Sequence, residues 1–122
     1  MIEVMQGFPE GALGFIARGR VMSAEYRALK TPRIEAAFAN HRKLRVLWLI
    51  GNDFRSFAPG AVWQDLTLGL RHWRGWERIA LVTDVSWLRG VAWASGFLIP
   101  GEFRLFHLRE LETATRWISE GL

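Results

Sequence analysis

The chain has 122 residues, 50% of them hydrophobic and 23% charged, which suits one folded domain over residues 1–122 and excludes a disordered one. It contains no cysteine, which removes disulfides, thiolate metal sites and cysteine nucleophiles and fits a reducing, cytoplasmic setting. The formal charge of +4 comes from fourteen arginines and two lysines against twelve acids, and the arginines are scattered as on a solvated basic surface, so no nucleic-acid partner is expected. The start, "MIEVMQGFPEG", lacks the basic and apolar regions of a signal peptide, and no apolar run reaches bilayer-spanning length.

In chain order, "IEVMQ" and "GALGFIARGRV" read as strands separated by the turn residues of "GFPEG" and pair as an antiparallel hairpin. Ser23 caps a helix through "AEYRALKTPRIEAAFANH", which Pro32 kinks or divides. "LRVLWLIG", 44–51, is a nearly continuous apolar run and reads as a central strand covered on both faces. "NDFRSFAPG" follows as a loop into a second helix, roughly 60–74, with Val62, Trp63, Leu66, Leu70 and Trp73 on one face as its core stripe and Leu68 outside it. "RIALVT", 78–83, is the next strand, and a third helix covers 86–96. "FRLFHL", 103–108, is the last strand, and "RELETATRWISEGL" is a terminal helix with Leu111, Ala114, Thr115 and Ile118 inward and Trp117 outward. The order ββαβαβαβα predicts an α/β layer architecture with a mixed five-stranded sheet and covering helices.

With that order in place, the chain resembles the SpoIIAA-like proteins, whose fold groups with STAS domains and with the lipid-binding Sec14 (CRAL-TRIO) type. The resemblance runs through "GFPEGALGFIARGRV", "LRVLWLIGNDFRSFAPGAVWQDLTLGLRHW", "ERIALVTDVSWLRG" and "GFLIPGEFRLFHLRELETATRWI". It implies a STAS-type fold, ligand binding and membrane association, with no established reaction; no cofactor is expected. STAS relatives that antagonise anti-sigma factors are switched by phosphorylating a serine where the helix after the central strand begins. Here Pro59, Gly60 and Ala61 occupy that start and the usual Asp-Ser pair is missing. Ser56, upstream between Arg55 and Phe57, is the candidate phosphosite of a regulatory interaction module of that kind.

No motif dictates a reaction. His41, His72 and His107 fall in different elements without HxH or HExxH spacing, so no metal site is expected. Ser56, His72 and Asp84 or Asp65 form no nucleophile elbow. Asp84 reads as a helix cap and Asp53 as turn chemistry. "RHWRGWER" interleaves arginine with tryptophan, as base-stacking grooves do, yet Trp73 lies on the predicted core stripe and Trp76 abuts a buried strand. No catalytic residue is assigned, and the expectation is a non-enzymatic protein.

The informative stretch is "VSWLRGVAWASGFLIP", 85–100. On a helical wheel Trp87, Leu88, Val91 and Ala92 cover the sheet, while Trp93 lies opposite with Arg89 and Phe97 follows near it. Phe54 and Phe57 add apolar surface in the loop. Such a surplus calls for a covering partner: an apolar or lipid-like ligand between the second and third helices, a homodimer partner, or the inner membrane surface met peripherally. Trp63, Trp87, Leu88, Val91, Trp93 and Phe97, with Phe54 and Phe57 at the mouth, are the expected wall. Arg55, Arg71 and Arg89 are expected to meet an anionic headgroup or carboxylate. Gly96, Pro100 and Gly101 read as a hinge that lets the third helix swing outward.

Overall fold

An apolar run without polar alternation fits a strand covered on both faces, and residues 44–50 take that place in the computed structural model, which describes residues 1–122. Val46, Trp48 and Ile50 join the core on one face of the sheet, Leu47 and Leu49 the core on the other, the period-two alternation of a strand. This strand, β3 (Leu44–Phe57), is the middle member of a five-stranded sheet of order β1-β2-β3-β4-β5. Its companions are β1 (Ile2–Met5), β2 (Ala12–Val21), β4 (Trp76–Thr83) and β5 (Glu102–Phe106). β1 and β2 form the expected antiparallel hairpin, and β2 through β5 run parallel. The mixed α/β sheet with covering helices is therefore what the element order predicts.

A sheet that grows in one direction through right-handed crossovers places every crossover helix on the same face. Three connections do so here: α1 (Ser23–Glu25) with α2 (Thr31–Asn40), then α3 (Pro59–Arg71), then α4 (Ser86–Ser95). Tyr26 and Ile34, Ala61 and Leu68, and Leu88 and Ala92 all pack with the Val46–Ile50 face. α5 (Leu111–Ser119) has no strand to return to and covers the opposite face alone, with Ala114, Trp117 and Ile118 against Leu47, Ala80, Val82 and Phe106.

Three local expectations are corrected and one is met. "NDFRSF" is not a loop, because β3 runs on to Phe57 and pairs with the second half of β2. Between Ala17↔Ile50 and Gly19↔Phe54 the register shifts, and Gly51, Asn52 and Asp53 form the bulged segment, held by Arg18 Nη1 donating to Asp53 at 3.0 Å. Bulge residues look like turn residues in sequence. Pro32 does divide its helix: the turn before it, Tyr26–Lys30, widens to π geometry and the Thr31 N–H donates to the Tyr26 carbonyl. Since a proline cannot donate to the carbonyl four residues back, a wider turn there relieves the ladder, and it turns Tyr26 and Lys30 inward, both buried.

The other corrections concern helix faces. In α3 the buried residues are Ala61 and Leu68, whereas Val62, Trp63, Leu66, Leu70 and the following Trp73 are exposed. The predicted stripe exists but is not the side that the helix buries, which Ala61 and Leu68 supply. In α5 Trp117 is 6% exposed. Its indole meets Phe106 at 6.0 Å between ring centres, with the Arg78 and Arg104 guanidinium groups 5.1 and 4.8 Å from the ring centre. Arg45 donates to the carbonyls of Ile118 and Glu120, and Arg78 to that of Trp117, so cations close the C-terminal end of this helix where its dipole is negative.

Candidate ligand cleft

The outward stripe of α3 and the inner side of α4 face each other across strands β3 to β5. Between them lies an open cleft of about 370 Å³ lined by 21 residues, 15 of them hydrophobic, within the range of small-molecule sites. Val46 and Trp48 of β3 and Ile79 and Leu81 of β4 form its floor. Leu66, Leu70 and Trp73 make one wall, and Leu88, Val91 and Ala92 the other. Ile99, Pro100 and Phe103 close the far end.

Of the expected wall, Leu88 and Val91 line this cleft. Trp63 and Trp87 are exposed without lining it. Phe54 is buried at the end of β3, with Phe57 at 4.8 Å and Trp87 at 6.3 Å, and Phe57 reaches the cleft only through Trp48, 6.5 Å away. Trp93 and Phe97, each 81% exposed, border a separate shallow depression beside Phe103 and Leu105 of the edge strand.

The three arginines diverge. Arg55 is exposed on β3, and Arg71 pairs with Glu35 at 2.9 Å. Arg89 donates to the carbonyls of Thr83 and Phe106, both at 2.9 Å, which ties α4 to the ends of β4 and β5. Ser56 is half-buried in β3 opposite Arg20. Gly96 and Gly101 are sites of close approach: a Cβ on Gly96 would lie 2.8 Å from the Phe103 ring, and one on Gly101 would meet the Trp76 carbonyl oxygen. Tight packing therefore accounts for both glycines without a hinge.

The groups that sequence reading missed sit at the inner end of the cleft. Lys30, 5% exposed, donates to Asp65 Oδ1 at 2.8 Å, and its ammonium lies 4.2 Å from the Trp48 ring centre and 4.9 Å from that of Tyr26. The Tyr26 hydroxyl donates to the same Asp65 oxygen at 3.2 Å. Burial, aided by the Asp65 charge, pushes the Tyr26 phenol well above its ordinary pKa. This triad fastens α3 to the π turn. Glu35 does the same at the other end, accepting from Arg71 and bonding His72 Nε2 at 2.8 Å while Phe38 stacks on the imidazole at 4.1 Å. The His72 bond, followed by that of Arg71, holds the Glu35 carboxyl below the usual carboxylate range. A lysine inside the stripe Tyr26, Lys30, Ile34 was the available signal, since that spacing puts a cation on the buried face.

At the carboxyl ends of β4 and β5, His107 Nδ1 and Asp84 Oδ1 are 3.0 Å apart. Asp84 also accepts the Leu108 N–H at 3.1 Å, and that bond and the His107 bond lower its pKa. Both side chains are exposed to solvent, and the pair ties the turn after β5 to β4. No three His, Asp or Glu side chains converge as a metal site would require. No helix is long and apolar enough to cross a membrane.

Comparison with known proteins agrees with this architecture. No curated protein matches the chain. A crystal structure of an uncharacterized protein with a SpoIIAA-like fold from Shewanella loihica PV-4 superposes with a TM-score of 0.75 at 25% sequence identity, covering 97% of this chain and 92% of that one. The SpoIIAA-like family model matches residues 12–119. By sequence and by fold, the chain belongs to the SpoIIAA-like family.

Proposed function

We propose that this chain is a non-catalytic STAS-type interaction module, and that it works through the cleft between α3 and α4 by holding a small apolar or lipid-like molecule. Family and fold favour the module reading. The observation that carries the finer reading is the cleft itself: an apolar chamber left open because the stripe of α3 faces α4 across a gap. The exposed Trp63, Trp87, Trp93 and Phe97 supply amphipathic rings suited to a membrane surface met peripherally.

Native mass spectrometry of freshly purified protein tests this. A lipid-sized adduct released on denaturation, together with flotation on liposomes, is the expected result. A bare monomer that ignores liposomes overturns the reading, and a stable homodimer burying the same faces replaces it.

Family and fold favour a STAS-type regulatory module; in its finer form a kinase-like partner would meet Ser56, although the usual Asp-Ser pair is missing. Incubation with a cognate kinase and intact-mass measurement separates it from the ligand reading. One phosphate gained at Ser56 assigns the switch, and an unchanged mass removes it.

A further inference from the structure

Four cations gather where α3 ends. Arg42 and Lys43 follow α2, Arg71 ends α3, and Arg74 lies in the turn Trp73–Gly75. With His41 and His72 they line one surface groove. The whole chain carries a formal charge of only +4, so this groove concentrates what the rest of the surface balances. Glu35 answers Arg71 and His72, and Lys43 donates to the Arg74 carbonyl at 2.7 Å, fixing the loop against the turn. The Arg42 and Arg74 side chains are exposed and take part in none of the fold's ion pairs, which engage Arg18, Lys30, Arg45, Arg71, Arg78 and Arg116. Like charges gathered on one face raise the local potential and favour a bound anion.

The groove adjoins the apolar cleft, since Leu70 and Trp73 line both. A hydrophobic chamber thus lies beside a basic groove, with the Trp73 indole at the boundary. We infer that the molecule taken up by the cleft is an anionic amphiphile, its hydrocarbon part between α3 and α4 and its phosphate or carboxylate held in the groove by Arg42 and Arg74. The inference rests on the cleft reading above and adds the chemistry of the head. Guanidinium forks match phosphate and carboxylate oxygens, and Trp73 suits a position between tail and head. A nucleic acid would satisfy the cations but leaves the apolar chamber unexplained.

Calorimetric titration with dodecyl phosphate below its micellar concentration, dodecanol, inorganic phosphate and a single-stranded oligonucleotide tests the proposal. Wild type is compared with Arg42→Gln/Arg74→Gln, whose fold is checked by circular dichroism. Dodecyl phosphate should bind one per chain and at least about tenfold tighter than dodecanol. The double variant should lose that margin and keep its dodecanol affinity. Inorganic phosphate alone should bind far more weakly than dodecyl phosphate, because the tail is absent. Equal affinity for both dodecyl compounds overturns the headgroup inference and leaves the cleft reading intact. If wild type binds neither dodecyl compound, both readings are overturned. An oligonucleotide bound by wild type and lost in the variant, without preference between dodecyl compounds, assigns the groove to nucleic acid and overturns the inference.

Discussion

The two faces of the sheet are finished in opposite ways. On one, a single amphipathic helix, α5, buries Ala114, Trp117 and Ile118 and has its C-terminal carbonyls closed by Arg45 and Arg78. On the other, three crossover segments share one surface. α3 inserts only Ala61 and Leu68, and α4 has no fully buried residue. Beyond that packing, polar contacts fasten those two helices: Lys30 and Tyr26 on Asp65, Glu35 on Arg71 and His72, and Arg89 on two strand carbonyls. A face closed by packing resists change, whereas one fastened at a few polar points can keep a gap. The difference arises from topology, because a sheet extended one way receives all its crossover helices on one side.

The largest effect should come from the closed face. Trp117→Ala removes a buried indole and should cost about 3–5 kcal/mol, measured by urea unfolding. A loss below about 1 kcal/mol would show that α5 does not seal its face as described. Next is the fastening of α3. Asp65→Ala leaves the Lys30 ammonium and the Tyr26 hydroxyl without their acceptor and should cost about 1–3 kcal/mol. Adding Lys30→Met should recover part of it, since an apolar replacement of the buried cation carries no desolvation penalty. If the double variant is no better than Asp65→Ala, the triad is not what holds α3.

Acid should act on the same face with a smaller effect. Glu35 has a folded pKa below its ordinary value, mainly through His72 and then Arg71. Its stabilisation is therefore present above the unfolded carboxylate pKa and is lost as pH falls through the lower folded value. The pair is partly exposed, so about 0.2–1 kcal/mol is at stake. Melting temperatures followed from pH 6 downward should fall more steeply in wild type than in Glu35→Gln. Parallel curves would place the acid sensitivity elsewhere, Glu25 and Asp84 being the other lowered carboxyls.

The sheet was legible because alternation and continuous apolar runs report strands directly. "LRVLWLI" and "RIALVT" landed in the middle of it. Helix existence was equally plain, but helix orientation was not. The apolar stripe of α3 is real, yet a wheel shows which residues share a side and nothing about what that side meets. The same limit hid Trp117, which the wheel set outside a stripe that proved wide enough to include it. The cleft was legible as a surplus of apolar groups between two helices, while its wall was not: only Leu88 and Val91 among the chosen residues line it. Lys30 and Asp65 stayed hidden because a charged side chain in sequence looks solvated until a partner 35 residues away is brought to it.

The smallest stability change should come from the residues most exposed to water. Trp93 and Phe97 have little burial to lose, so Trp93→Ser and Phe97→Ser should each leave unfolding free energy within about 0.5 kcal/mol. Their removal even lessens the apolar surface offered to solvent. Liposome flotation should nevertheless drop sharply in the double variant if these rings meet a membrane, because the lost area acts only in the bound state. An unchanged flotation with unchanged stability would leave both rings without a role on that surface. A large loss of stability would instead mean that they pack more closely against Phe103 and Leu105 in solution than their exposure indicates.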